Sequence, residues 1–306
     1  MIGVSPGRAS ETSDAMSTVN ATKRWRPFPT GFRLVQRSVL PGFGLTMGVT
    51  VLYLSLIVLI PLSGLFIVTS DMTLDDFLKI MSNELVKRSF ALTFRASLVA
   101  ATVNAFFGFI VAWVLVRYRF FGRRLIDAMV DLPFAMPTAV SGIALAQIYS
   151  ENGWLGQYLP FAVRGTEVGV TIALVFIGLP FVIRTLQPSF EEIEKELEEV
   201  SASLGANRWQ TFTKVIFPTV LPAFITGFAM ALARAIGEYG SVLFIGGMIP
   251  GKTEIMSSVI LSKLYEENGH IAASAVAIVM LAASFGLLLL INLVQMWANR
   301  RFANAQ

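Results

Sequence analysis

Apolar residues in this chain come in long blocks, unlike the alternation of a strand or the one-sided stripe of a soluble helix. Residues 38–70 contain no charged side chain. A bilayer crossing needs roughly 20 mainly apolar residues, so this block alone is long enough. Five further blocks follow, and together they predict spans at about 40–69, 89–116, 128–150, 167–187, 215–237 and 271–297. The expected fold is an all-α polytopic membrane protein with about six transmembrane helices.

Several blocks carry prolines: Pro133 and Pro137 in DLPFAMPTAVSG, Pro180 in FIGLPFV, and Pro218 with Pro222 at the fifth. A proline frees a backbone carbonyl that only neighbouring helices or a wet cavity can satisfy. Interrupted spans therefore suit a transporter better than a simple anchor. Between the first two blocks, DMTLDDFLKIMSNELVKRS places Leu74, Phe77, Leu78 and Met81 on one face of a short interfacial helix.

Composition agrees: 55% of residues are apolar and 14% charged, against about 25% charged in soluble domains. With the N-terminus inside, the cytoplasmic pieces hold sixteen Lys and Arg and the outer pieces six. That bias predicts N-in, C-in. Residues 1–38 are expected to form a basic, flexible cytoplasmic tail, and 39–300 the membrane domain. The tail lacks the apolar core of a cleaved signal peptide.

One stretch breaks the pattern. Six glutamates (Glu191, Glu192, Glu194, Glu196, Glu198 and Glu199) crowd into nine positions of EEIEKELEEVSASLGANRWQTFTKVIFP. Ile193, Leu197, Val200 and Leu204 fall on one helical face among them. Gly205 suits a left-handed helix end, and Asn207 with Gln210 suits a capping box opening a second helix. The expectation is an elbow on the cytoplasmic side. A helix-turn-helix DNA reader has a similar shape, but six carboxylates would repel phosphates, so no nucleic acid is expected.

The spacing of Glu199, Gly205, Val215 and Phe217–Pro218 resembles the cytoplasmic EAA loop of ABC-importer permeases, with Val200 and Ser201 in place of the two alanines. RYRFFGRRLIDAMVDLPFAMPTAVSGIALAQIYS, LPFVIRTLQP and ALARAIGEYGSVLFIGG extend the likeness, and the chain is similar to T-type permeases of sulfate/thiosulfate importers. The resemblance implies a type I ABC-importer permease fold in the bacterial inner membrane, non-catalytic and without cofactor. It implies three sets of partners: two ATP-binding subunits, a second, similar permease, and a periplasmic sulfate/thiosulfate-binding protein. Residues 191–218 would be the coupling loop, with Glu198, Glu199, Leu204, Gly205, Ala206 and Trp209 docking on an ATPase. A molybdate or tungstate permease is the alternative within the family. A secondary oxyanion transporter is the alternative outside it, and it would leave the elbow unexplained.

Residues 246–253, GGMIPGKT, fit a phosphate-binding loop. They lie between two spans on the outer side, with no soluble α/β domain around them, so the match reads as fortuitous. The chain has no cysteine and a single histidine, His270, which excludes thiol chemistry and leaves no metal-ligand cluster. Charges within the blocks are candidates for a pathway. Arg234 and Glu238 are spaced to pair along one helix, either as a structural ion pair or as a pathway lining or gate, and the resemblance implies that GEYG, with Tyr239, belongs to a gate region. Arg95 has no partner visible in the sequence and either snorkels or lines the path.

Overall fold

The computed structural model describes residues 43–266 and 269–303; the basic tail expected at 1–38 lies outside them. The chain divides into two compact units, Met1–Ser55 and Leu56–Gln306. The described part of the first is α1, Phe43–Leu54, followed by a π turn, Ser55–Leu59. The second unit holds α2 (Ile60–Ser70), α3 (Leu74–Ser82), α4 (Glu84–Arg117), α5 (Arg123–Val130), α6 (Leu132–Ala135) and α7 (Thr138–Ile148). It continues with α8 (Glu167–Glu191), α9 (Lys195–Ser203), α10 (Arg208–Thr211), α11 (Phe217–Ile236), α12 (Gly240–Gly246), α13 (Met256–Leu264) and α14 (His270–Ala303).

Among the described residues, five helical runs are long and apolar enough to cross a membrane: Phe43–Ser70, Glu84–Arg117, Glu167–Glu191, Arg208–Ile236 and His270–Met296. The third predicted block differs. It is split into α5, α6 and α7, because Pro133 opens α6 and Pro137 stands in extended backbone before α7. Pro180 and Pro222 behave otherwise: α8 and α11 run through them unbroken. Hydroxyls that bond back to the preceding turn, such as Thr226 to the carbonyl of Pro222 at 2.8 Å, accompany the disturbed ladder. Pro218 has no N–H to offer Lys214, and the turn before it widens into a π segment, Phe212–Ile216.

The core is the packing of α4, α8 and α11. Small residues allow close approach: Ala101, Ala105, Gly108 and Ala112 on α4 are buried, as are Ala173 on α8 and Ala231 on α11. In lipid, where burial of apolar surface does not drive helices together, such close van der Waals contact does. Towards the end of α4 the space is filled by aromatic rings. Phe109 meets Phe190, Phe212 and Phe224 edge-on at 5.2, 5.9 and 6.0 Å.

The short helix between the first two blocks is α3, capped by Thr73. Its expected apolar face divides. Met81 packs with Ile80 against the core, while Leu74 and Leu78 are exposed.

Candidate functional site

The elbow forms as its sequence requires. Gly205 sits at φ +84°, a conformation costly for residues with a Cβ. Its N–H donates to the carbonyl of Ala202 at 3.0 Å and that of Ala206 to Ser201 at 3.1 Å, which closes α9 in a Schellman motif. Two residues on, Asn207 Oδ1 accepts from the N–H of Gln210 at 2.8 Å, and Gln210 Oε1 accepts from the N–H of Asn207 at 2.9 Å. A buried hydroxyl contact, Ser201 Oγ to Thr211 Oγ1 at 2.8 Å, ties the two arms together. Ser201 thus helps to hold the bend.

The apolar stripe does not do what its spacing suggests. Ile193 is buried, but it precedes α9; Leu197, Val200 and Leu204 face outward. Leu204 is 82% exposed and Trp209 71%, so the elbow presents an apolar ridge that the described residues do not cover. The anchor comes instead from Glu198, whose carboxylate lies 2.7 Å from Arg117 Nη2 at the end of α4. That guanidinium also stands over the Trp113 ring, 5.4 Å from its centroid. Glu199 and the other four glutamates are exposed.

A second charged joint, outside the residues expected from the sequence, centres on Arg184. Arg184 on α8 uses all five of its donors: Nε and Nη2 go to Asp131, Nη1 to Asp127 and Gln187, and Nη2 also to the Asp127 carbonyl, at 2.6–2.8 Å. The signal available was Asp127 and Asp131 four residues apart, facing a lone arginine inside an apolar block. A hydrogen bond from Gln187, and then the Arg184 guanidinium, hold the Asp127 carboxyl below its ordinary range against the opposing effect of partial burial.

At the other end of the bundle, Arg95 is not alone: it forms an ion pair with Glu167 at the start of α8. Arg95 and Arg117 lie on one helix, about 33 Å apart at ~1.5 Å per residue, close to the roughly 30 Å of a bilayer's hydrocarbon core. Both side chains of the pair are more than half exposed. Arg234 and Glu238 do meet, Nη1 to Oε2 at 2.6 Å. Glu238 is buried, and its other oxygen accepts from the N–H and hydroxyl of Ser241 at 2.9 and 3.0 Å. Its carboxylate thus joins α11 to the first turn of α12, while Tyr239 between them is half-buried. α12 in turn packs against α7 so closely that a Cβ on Gly142 would meet the Ser241 carbonyl oxygen at 2.5 Å.

Residues 104–304 match the family described as binding-protein-dependent transport system inner membrane component. The chain belongs to that family. It is 44% identical to the sulfate transport system permease protein CysT of Escherichia coli strain K12, over 88% of this chain and 98% of the relative. It is also 44% identical to the protein of the same name from Synechocystis, over 84% of this chain and 90% of the relative. The solved bacterial alginate ABC transporter in complex with an alginate pentasaccharide-bound periplasmic protein shares the fold, with TM-score 0.69. Identity there is 16%, over 84% of this chain and 93% of that one.

The chain is thus a multi-pass inner-membrane permease of an ABC importer, a transport component and not an enzyme. The GGMIPGKT segment fits that assignment. Thr253, where a phosphate loop would present a metal-binding hydroxyl, is buried and donates to the carbonyl of Gly246 at 2.6 Å. The N–H groups of Ile249, Lys252 and Thr253 are all taken by partners within the loop. No helix starts at the lysine; α13 begins at Met256. The segment is a self-bonded turn that frames an open basin of about 720 Å³ with residues 149–165.

Proposed function

We propose that this chain is the translocation subunit of an ATP-driven sulfate/thiosulfate importer and that energy reaches it through the elbow. The observation that carries the reading is the exposed Leu204–Trp209 ridge on a bend held rigid by the Schellman turn, the capping box and the Glu198–Arg117 pair. A rigid apolar ridge ringed by carboxylates is what a groove on a separate ATPase subunit can grip. Leu204, Gly205, Ala206 and Trp209 supply the ridge, and Glu198 and Glu199 its inner and outer edges. The names of the 44%-identical relatives favour sulfate as the substrate.

In this reading the chain has its N- and C-termini in the cytoplasm, residues 1–38 are a tail and 39–300 the permease domain. It pairs with a second, similar permease, carries two ATPase subunits at the elbows, and receives its anion from a periplasmic binding protein. Arg234, Glu238 and Tyr239 form the joint between α11 and α12 at the outer end of the path, where a shift of α12 opens or closes the way. ATP binding by the partners shifts the population between the two arrangements.

The test is affinity purification of the solubilised chain followed by uptake of radiolabelled sulfate in proteoliposomes. Recovery of an ATPase and a second permease, with uptake dependent on ATP, supports the proposal. A self-sufficient chain that moves sulfate without ATP refutes it, as does ATP-driven uptake of molybdate with none of sulfate.

A further inference from the structure

A smaller cavity of about 200 Å³ lies where α4 and the start of α8 meet the 251–254 turn, lined by Arg88, Ser89, Arg95, Glu167, Lys252 and Glu254 among others. Its cations are incompletely used. Arg88 pairs through Nε with Glu84 at 2.9 Å, and Nη1 stands 4.0 Å from where a Cβ on Gly251 would be. Arg95 pairs with Glu167 through Nη2, and its other donors have no partner among the described residues. The Lys252 ammonium has no side-chain partner among the described residues. Ser89 is 1% exposed, and its Oγ, like Glu254 Oε2, is buried with no hydrogen-bond partner among the described residues. Such an orphan costs stability unless something fills it.

We propose that this cavity is a transit subsite for a tetrahedral oxyanion dianion, held by Lys252, Arg88 and Arg95 and met by the Ser89 hydroxyl. The assignment of sulfate as that oxyanion rests on the functional reading above. Glycine at 251 takes φ +73°, the conformation that turns the chain so that Lys252 follows at the cavity's edge. Guanidinium and ammonium donors suit an oxyanion, and the orphaned hydroxyl adds one more donor. The phosphate-loop likeness of GGMIPGKT thus reduces to its lysine: the N–H groups of Ile249, Lys252 and Thr253 are spent within the turn, and the Lys252 side chain meets the anion.

Glu254 sets the strength. It is 4% exposed; Oε1 accepts from Ser262 Oγ at 3.2 Å, and Oε2 is buried without a partner. Two carboxylates in the wall, Glu254 and the Arg95-paired Glu167, oppose a dianion, so the site binds weakly. That is what conduction needs, since a transit site must also let go.

The same chemistry fits an anionic lipid headgroup, so the experiment separates the two sources. The full chain with its co-purifying subunits, free of binding protein, is placed in phosphatidylcholine nanodiscs and titrated with radiolabelled sulfate. Weak saturable binding is expected, reduced about tenfold or more by Lys252→Gln or Arg88→Gln, the loss of one charge-assisted contact. Lys252→Arg retains it, Glu254→Gln tightens it, and added phosphatidylglycerol does not compete. Unchanged sulfate affinity in Lys252→Gln and Arg88→Gln overturns the proposal even where cells with the wild-type chain import sulfate. So does phosphatidylglycerol retention that depends on Lys252 while free sulfate does not bind. If such cells import no sulfate but molybdate binds with the same dependence on Lys252, the subsite stands and the substrate reading falls.

Discussion

Arg117 at the end of α4 holds Glu198 of the elbow: Nη2 is 2.7 Å from Oε1, and the guanidinium stacks over Trp113 at 5.4 Å. Trp113 in turn meets Phe190 edge-on at 5.3 Å. The ion pair and the ring contacts thereby link the elbow to α4 and to the end of α8. Arg117 is 13% exposed at its side chain and Glu198 37%, so water screens this pair less than a surface one.

Of the six clustered glutamates, only Glu198 has this role, and substitution should separate it from its neighbours. Glu198→Gln is expected to lower the melting temperature and to loosen ATPase attachment, whereas Glu199→Gln leaves the melting temperature unchanged. A double-mutant cycle with Arg117→Ala should return a coupling energy of about 0.5–3 kcal/mol, typical of residues in contact. Additive effects of the two substitutions in thermal unfolding would remove the strut from the account.

Gly205 is needed for its backbone alone. A Cβ there would meet nothing within 4 Å, so the cost of Gly205→Val comes from φ +84° and is about 1–3 kcal/mol. Gly205→Asn, which tolerates the left-handed region, should retain most function. If valine and asparagine impair ATP-driven uptake equally, the bend is not what matters at this position.

The Arg184 joint tests a different property, the fork geometry of a guanidinium. Arg184→Lys cannot reproduce five simultaneous donor contacts and is expected to fail nearly as badly as Arg184→Ala. The joint is also acid-sensitive. Asp127 has a depressed carboxyl pKa when folded, so its contribution is full above the unfolded value near 4. It is lost as pH falls through the lower folded value. Hydrogen exchange in α5 should therefore be flat from pH 7 to about 5, after correction for intrinsic rates, and accelerate below about 4. Protection rising on acidification would contradict the assigned contacts.

Gly142 is where α7 and α12 touch. A methyl group 2.5 Å from the Ser241 carbonyl oxygen cannot be accommodated without moving the backbone, and such overpacking typically costs about 1–3 kcal/mol. Because Glu238 binds the same serine, Gly142→Ala is expected to disturb the Arg234–Glu238 joint as well. Equal stability and uptake in Gly142→Ala would mean the two helices part easily.

Features fixed by local chemistry were legible in the sequence. The apolar blocks, the glycine bend at 205 and the Asn207–Gln210 capping box depend on residues within a few positions of one another. Contacts across the bundle were not. Arg95 finds Glu167, and Glu198 finds Arg117, at separations no periodicity encodes. The stripe of Ile193, Leu197, Val200 and Leu204 has helical spacing, but spacing cannot say whether a face turns inward or out. The prolines were legible in part: Pro137 breaks the third block as expected, whereas Pro180 and Pro222 lie inside intact helices, because surrounding helices decide whether a broken ladder is tolerated.

The most direct measurement is ATP-dependent sulfate uptake in proteoliposomes by the purified assembly, wild type against Leu204→Ala/Trp209→Ala. The account predicts that the double variant folds with an unchanged melting temperature, since both side chains are exposed, yet loses its ATPase subunits and its uptake together. A double variant that keeps both would contradict the claim that energy enters at the elbow.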